Sequence, residues 1–336
     1  MKVLPISLLS LLLAATALVS LSLGKYPLAP GEVAGFLGHR LFGWGTFDAE
    51  RLQLLENLVM EIRLPRIMAA ALIGAALAVS GAAYQALFVN PLVSPGILGV
   101  LAGASLGAAL GLVFLKTWYG VQAATFLGGF AAVGLAMGIA RLCRVNSTVM
   151  LVLGGIISGA FFSALVAIVK YVSDPYNQLP AIVYWLMGNM AMADQGMTLK
   201  AGIPILVGIA CLMLMARHLN VLSMGDEEAR ALGVNVEAVR LTVIVCATLI
   251  STLTVVLAGI IGWVGLIIPH ITRMITGPDN ETLLPATALA GASYLLLVDD
   301  ISRLAFTFEI PIGIVTALIG IPFFVLVLKN ARKGWL

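Results

Sequence analysis

Residues 64–88 read LPRIMAAALIGAALAVSGAAYQALF, and no charged side chain follows Arg66 until Lys116. A helix needs about 20 apolar residues to cross a hydrocarbon core of roughly 30 Å. This run exceeds that length and is built from small and aliphatic residues, so it reads as a membrane span. The rest of the chain repeats the pattern. Of 336 residues, 61% are apolar and 10% charged, against roughly 25% charged in an average soluble chain. Too little charge is present to cover a soluble globule. An ordinary cytosolic enzyme and a disordered protein are excluded, and a net charge of +3 gives no reason to expect a nucleic-acid partner. The class is all-α and polytopic.

Ten spans follow from hydropathy. The first runs from Leu4 to Leu23, too long for the apolar region of a signal peptide and lacking a small-residue cleavage site. It is read as a retained span. A long polar stretch from Gly24 to Glu61 follows, read as a loop. Span two is the stretch quoted above. Spans three to five run from Ile97 to Leu115, Val121 to Ala140 and Val149 to Val169. The segment from Ser173 to Lys200 is read as a surface loop with a short interfacial helix around Trp185. Spans six and seven, Ala201 to Ala216 and Leu241 to Ile261, flank a charged segment, residues 217–240. A short, glycine-interrupted span eight runs from Gly262 to Ile275. Span nine, Leu283 to Val298, is interrupted by Asp299, Asp300 and Arg303, and span ten runs from Pro311 to Leu328.

An even span count puts both termini on one side. Arg141, Arg144 and the basic tail of Lys329, Arg332 and Lys333 place that side in the cytoplasm. The chain is read as a single transmembrane domain, residues 1–336. Spans two to five and seven to ten then form halves of opposite sense, an arrangement that suggests an inverted repeat. Cys143, Cys211 and Cys246 read as small packing residues, with no metal-ligand spacing.

Catalytic chemistry is missing from the sequence. His39, His218 and His270 are scattered, no HExxH occurs, and no GxxxxGK[ST] phosphate loop is present. Ionisable residues cluster at span ends rather than mid-membrane, where ion-coupled carriers place them. Energy for uphill transport must come from ATP hydrolysed by another chain or from an ion gradient. An ion-coupled secondary transporter is the alternative from another class, and a membrane-embedded enzyme ranks third.

Two segments are more specific. In the first, Asp226, Glu227 and Glu228 begin a short helix, whose positive N-terminal end they complement. Gly233 suits its C-terminal cap, and Asn235 reads as the cap of a second short helix. The other segment runs Ile62-Arg63-Leu64-Pro65-Arg66, through Gly74 to Gly81 and Gln85, to Asn90-Pro91-Leu92-Val93-Ser94-Pro95-Gly96. With Leu232-Gly233-Val234-Asn235, Gly262-Trp263-Val264-Gly265-Leu266-Ile267-Ile268-Pro269-His270, Asp300, Arg303 and Glu309-Ile310-Pro311-Ile312-Gly313, these blocks resemble the FecCD-type permeases of ABC importers. That family takes up iron-siderophores, haem and cobalamin. Trp263, where Phe is commoner, and the doubled acid Asp299-Asp300 are departures from its pattern.

The resemblance implies a type II importer permease that is itself no enzyme. It implies a second permease subunit, identical or paralogous, two ATPase subunits that carry ATP and Mg, and a periplasmic or lipid-anchored substrate-binding protein. This chain would hold no cofactor or metal and would sit in the bacterial inner membrane. Residues 217–240 would form the cytoplasmic coupling loop, with Gly225, Asp226, Glu227, Glu228, Ala229, Arg230, Leu232 and Gly233 against the ATPase. Arg63, Arg66 and Arg303 would dock the binding protein. Asn90, Leu92, Ser147 and Thr148 would surround the cytoplasmic gate. Read without the family, Arg63 and Arg66 equally anchor a helix end, Asn90-Pro91 equally makes a turn, and Asp300 and Arg303 equally pair with each other. An iron chelate is the first expectation for cargo, with haem, cobalamin or a molybdate-like oxyanion as alternatives.

Overall fold

The structure is a computed structural model that describes residues 3–143, 148–191 and 195–331. Its helices are α1 (Val3–Ser22), α2 (Pro30–Phe42), α3 (Ala49–Leu55), α4 (Leu64–Leu87), α5 (Val100–Leu110), α6 (Trp118–Leu142), α7 (Thr148–Val172) and α8 (Gln178–Leu186). They continue with α9 (Gln195–Leu214), α10 (Ala216–Leu222), α11 (Asp226–Ala231), α12 (Val236–Ala258), α13 (Val264–Thr276), α14 (Asn280–Leu304) and α15 (Ile312–Ala331). No strand occurs among the described residues. Seven helices are long and apolar enough to cross a membrane, and three shorter apolar ones, Val100–Leu115, Val264–Thr276 and Ile312–Leu326, accompany them. The ten match the ten expected spans in order.

Helix α4 is central. It packs against α9, α12, α13 and α14, whereas α1 and α7 leave most of their length uncovered. Small residues set this arrangement, because apolar helices gain little from leaving lipid and must associate by close contact. A Cβ on Gly74 would fall on the Gly291 carbonyl of α14, and one on Gly81 on the Gly265 carbonyl of α13. Hydroxyl pairs cross the neighbouring seam between α4 and α12. Ser251 Oγ lies 3.2 Å from Ser80 Oγ, and the Tyr84 hydroxyl lies 3.4 Å from Thr248 Oγ1. Cys211 and Cys246 meet between α9 and α12 as packing residues, with sulfurs 3.2 Å apart, while Cys143 is exposed.

The stretch from Gly24 to Glu61 is not a loop. It holds α2 and α3, and a π-helical run, Glu56–Arg63, leads straight into α4. Average polarity hid an amphipathic pattern in which Val33, Phe36, Leu55 and Val59 are buried. Arg51 donates to Glu32 at 2.5 Å and holds that carboxyl below its ordinary range.

Spans three and eight are short because each opens with irregular backbone. Span three begins as a 3₁₀ turn, Pro95–Leu98, and Gly99 turns left-handed (φ 81°) before α5. It ends in a π-helical run, Gly111–Leu115. Ahead of α13, Gly259 and Trp263 both have φ of 70°, an uncommon conformation for tryptophan. Asp299, Asp300 and Arg303 do not interrupt span nine, since α14 runs through them to Leu304. Asn235 caps no separate short helix. Its side chain accepts from Ala238 N at 3.1 Å and starts α12 itself.

Gly81→Ala is expected to lower thermal stability by about 1–3 kcal/mol through overpacking. Gly134→Ala, where a Cβ meets nothing within 4 Å, should be neutral or stabilising. Thermal unfolding of the two purified variants in one detergent checks the contrast.

Candidate coupling, gating and docking surfaces

The charged segment after α9 folds into a rigid platform. Helix α10 is tied to the start of α14. Asn220 Nδ2 donates to Asp279 at 2.7 Å, Asn220 Oδ1 accepts from the Asn280 backbone at 2.8 Å, and Arg217 pairs with Glu281. Helix α11 follows, with Asp226, Glu227 and Glu228 in its first turn. It closes as the sequence predicts. Gly233 N donates to Arg230 O at 2.9 Å and Val234 N to Ala229 O at 3.0 Å, with Gly233 at φ 81°. Those two bonds are the paired closures of a Schellman cap. Arg240 of α12 reaches back to Asp226 at 2.8 Å, and Ala229 is fully buried beneath α11. The outer face is left to Glu227, Glu228, Arg230 and two exposed apolar side chains, Met224 and Leu232, the latter 63% exposed. The six-residue helix is thus tied at both ends and shows an acidic and apolar outer face.

Asn90 does make a turn. Its backbone N–H donates to Gln85 O at 3.0 Å, and its Oδ1 accepts from Leu92 N at 2.9 Å. This Asx turn ends the α4 segment and leaves Leu92 exposed. The turn and the platform meet across a cleft of about 270 Å³, walled by Asn90 and Pro91 on one side and Ser223, just before α11, on another. Thr148 opens α7. Ser147 lies outside the described residues.

At the opposite end, the three arginines have their donors filled within the chain. Arg66 forks onto Asp299, with Nη2 to Oδ1 at 2.9 Å and Nε to Oδ2 at 3.0 Å, and its Nη1 reaches Glu309 Oε2 at 3.0 Å. Arg303 pairs with Asp299 at 3.2 Å and with Asp300, the partner that three-residue spacing offered it. Its Nη2 also donates to Ser20 Oγ at 3.2 Å, and Ser20 donates to Asp300 at 2.8 Å. Arg63, 5% exposed, donates to the Leu21 and Tyr26 carbonyls. The physical reason is desolvation: a guanidinium at a packed helix end is costly unless its donors are filled. Three arginines and three carboxylates balance, and together they lace α1, α4 and α14 to the chain before α15. Spacing alone missed Asp299 and Glu309 as partners of Arg66 and Ser20 as a partner of Arg303, since each of these pairs is more than 200 residues apart in the chain. The excess of acids around Arg303 was the available signal.

Near the platform, Gln85, His270 and Arg273 also converge. Arg273 Nη2 donates to Gln85 Oε1 at 3.1 Å.

The FecCD transport family matches residues 12–330. The molybdate import system permease protein of Haemophilus influenzae is 40% identical over 328 residues, 97% of this chain and 96% of that one. A vitamin B12 import system permease protein of Salmonella paratyphi A is 39% identical, covering 96% of this chain and 94% of its own. A solved structure described as an inward-facing conformation of a metal-chelate type ABC transporter superposes with a TM-score of 0.86 at 40% identity, covering 96% of this chain and 98% of the other. With a family match across nearly its whole length, a common fold and relatives of matching extent, the chain belongs to the FecCD transport family of ABC importer permeases.

Proposed function

We propose that this protein is the membrane-spanning subunit through which a bacterial ABC importer passes a metal-containing cargo from a binding protein into the cytoplasm. The α11 platform carries the reading. It is rigidly capped, exposes Met224 and Leu232 among acids, and shares a cleft with the Asn90 turn that ends α4. A push on α11 by an ATPase would reach that turn through packed elements. In this reading two ATPase subunits hold ATP and Mg, a second permease chain completes the pathway, and both termini face the cytoplasm. The two halves are α4–α7 and α12–α15, each with a short second helix. The binding protein docks outside, on the surface that the Arg66 cluster holds in shape. Mid-membrane polar contacts such as Ser80 with Ser251 are hydroxyl pairs, which argues against an ion-coupled carrier.

An iron chelate is the first reading for cargo, and the metal-chelate description of the superposed structure supports it. A molybdate-like oxyanion is the second, favoured by the Haemophilus relative. Competition among iron chelates, cobalamin, molybdate and tungstate for uptake by a deletion strain decides between them.

Three outcomes are expected. Reconstituted alone, the protein should accumulate no cargo, and addition of the ATPase, ATP and binding protein should start uptake. Accumulation driven by a proton or sodium gradient without the ATPase would refute the reading. Gly233→Val meets no steric neighbour but forces a β-branched residue into the left-handed region, at a cost of about 1–2 kcal/mol. Uptake per ATP hydrolysed should fall with expression near normal, and unchanged coupling moves the coupling role elsewhere. Arg66→Glu should destabilise the permease by about 3–5 kcal/mol, because it sets a third acid beside Asp299 and Glu309 and leaves Glu309 without its cation and Asp299 with Arg303 alone. Thermal unfolding should show that loss at low and high salt alike, whereas a docking residue at a rim would show a salt-dependent loss of association with no change in stability.

A further inference from the structure

The cleft beside the Asn90 turn is cationic, and no carboxylate lines it. Arg273 and His270 lie one turn apart on α13 and so share a face, and both border the cleft with Gln85 and Asn90. Gln85 is 3% exposed, and its amide nitrogen points at the Gly265 and Leu266 carbonyls. Its oxygen is therefore left to Arg273, which spends one N–H on it. Among the described residues Arg273 has no carboxylate partner, unlike Arg40, Arg51, Arg66, Arg217, Arg240 and Arg303. The neighbouring acids are directed elsewhere: Asp279 toward Asn220 and the first turn of α14, Glu281 toward Arg217. His270 has no hydrogen-bond partner among the described residues. Asn90 uses its side-chain oxygen on Leu92 N, so its amide N–H groups remain. A half-buried guanidinium without an anion is costly, and here its free donors face a space rather than an acid.

We infer that this inner-face cleft binds a small tetrahedral oxyanion, with Arg273 as charge partner and His270 and Asn90 as further donors. Its roughly 270 Å³ admits such an ion with several waters, at about 30 Å³ each. A siderophore or corrin does not fit. A bound oxyanion would bridge the α4 turn, α13 and the Ser223 approach to α11, so occupancy would be felt at the coupling platform. The inference rests on the permease reading in that the ion is either an oxyanion cargo leaving the pathway or phosphate from the cytosol. Both sources share the same chemistry.

The test uses the full-length protein in nanodiscs of zwitterionic lipid, titrated calorimetrically with molybdate, tungstate, phosphate and sulfate. Saturable binding of at least one is expected, and Arg273→Gln should weaken it about tenfold or more. Asn90→Asp keeps the acceptor for Leu92 N, and so the turn, but adds a negative charge. It should weaken binding most at low ionic strength. Tighter binding of molybdate and tungstate marks a departing cargo, and tighter binding of phosphate or sulfate marks a cytosolic anion. Absence of saturable binding of all four ions, or unchanged affinity in both variants, overturns the inference. ATP-driven uptake is measured separately with the ATPase. Binding without uptake retains the site and removes the permease reading, and uptake without binding does the reverse.

Discussion

Everything in this fold depends on how closely other helices approach α4. Lipid gives apolar helices little reason to associate, so contact must be tight to be worth making. Gly74 and Gly81 allow that contact by admitting the backbone carbonyls of α14 and α13 against the α4 backbone. The Ser80–Ser251 and Tyr84–Thr248 contacts then add direction along the α4–α12 seam. With α4 fixed, its two ends become fixed points, one carrying Arg63 and Arg66 and the other the Asn90 turn.

Those two ends handle charge in opposite ways. At the Arg66 end, Arg66 and Arg303 meet Asp299, Asp300 and Glu309 while Arg63 spends its donors on backbone carbonyls, and the result is a closed, neutral knot that joins the first helix to the last ones. At the Asn90 end, the platform charges are also paired, Arg240 with Asp226 and Arg217 with Glu281. Arg273 instead borders a cleft with a neutral amide as its partner. A neutral knot resists change. A cation beside an open cleft invites a ligand, and the two ends are suited to different tasks.

The platform between α9 and α12 shows how local chemistry fixes a functional shape. Acids at the α11 N-terminus, a Schellman closure at Gly233 and an Asn235 cap on α12 are all short-range features. They specify two helix ends and the turn between them with little tertiary help. Burial of Ala229 and the Arg240–Asp226 pair then seat that unit on the bundle.

Much of this was legible in the sequence because hydropathy and caps are local signals. Ten apolar segments, their order, the Gly233 closure and the Asn90 turn all follow from residues within a few positions of one another. Three things were not legible. The amphipathic α2 and α3 looked like loop, because their buried Val33 and Phe36 are diluted by polar neighbours. Span three shortened, because Gly99 takes left-handed backbone that no hydropathy window registers. The arginines turned inward, because a partner such as Asp299 is 233 residues from Arg66. The sequence by itself determined a ten-span membrane protein with a capped segment between spans six and seven, since spans and caps are properties of short stretches of chain. Only the tertiary structure decided which charges are spent on one another and which remain for a ligand, since pairing depends on distances that folding alone creates.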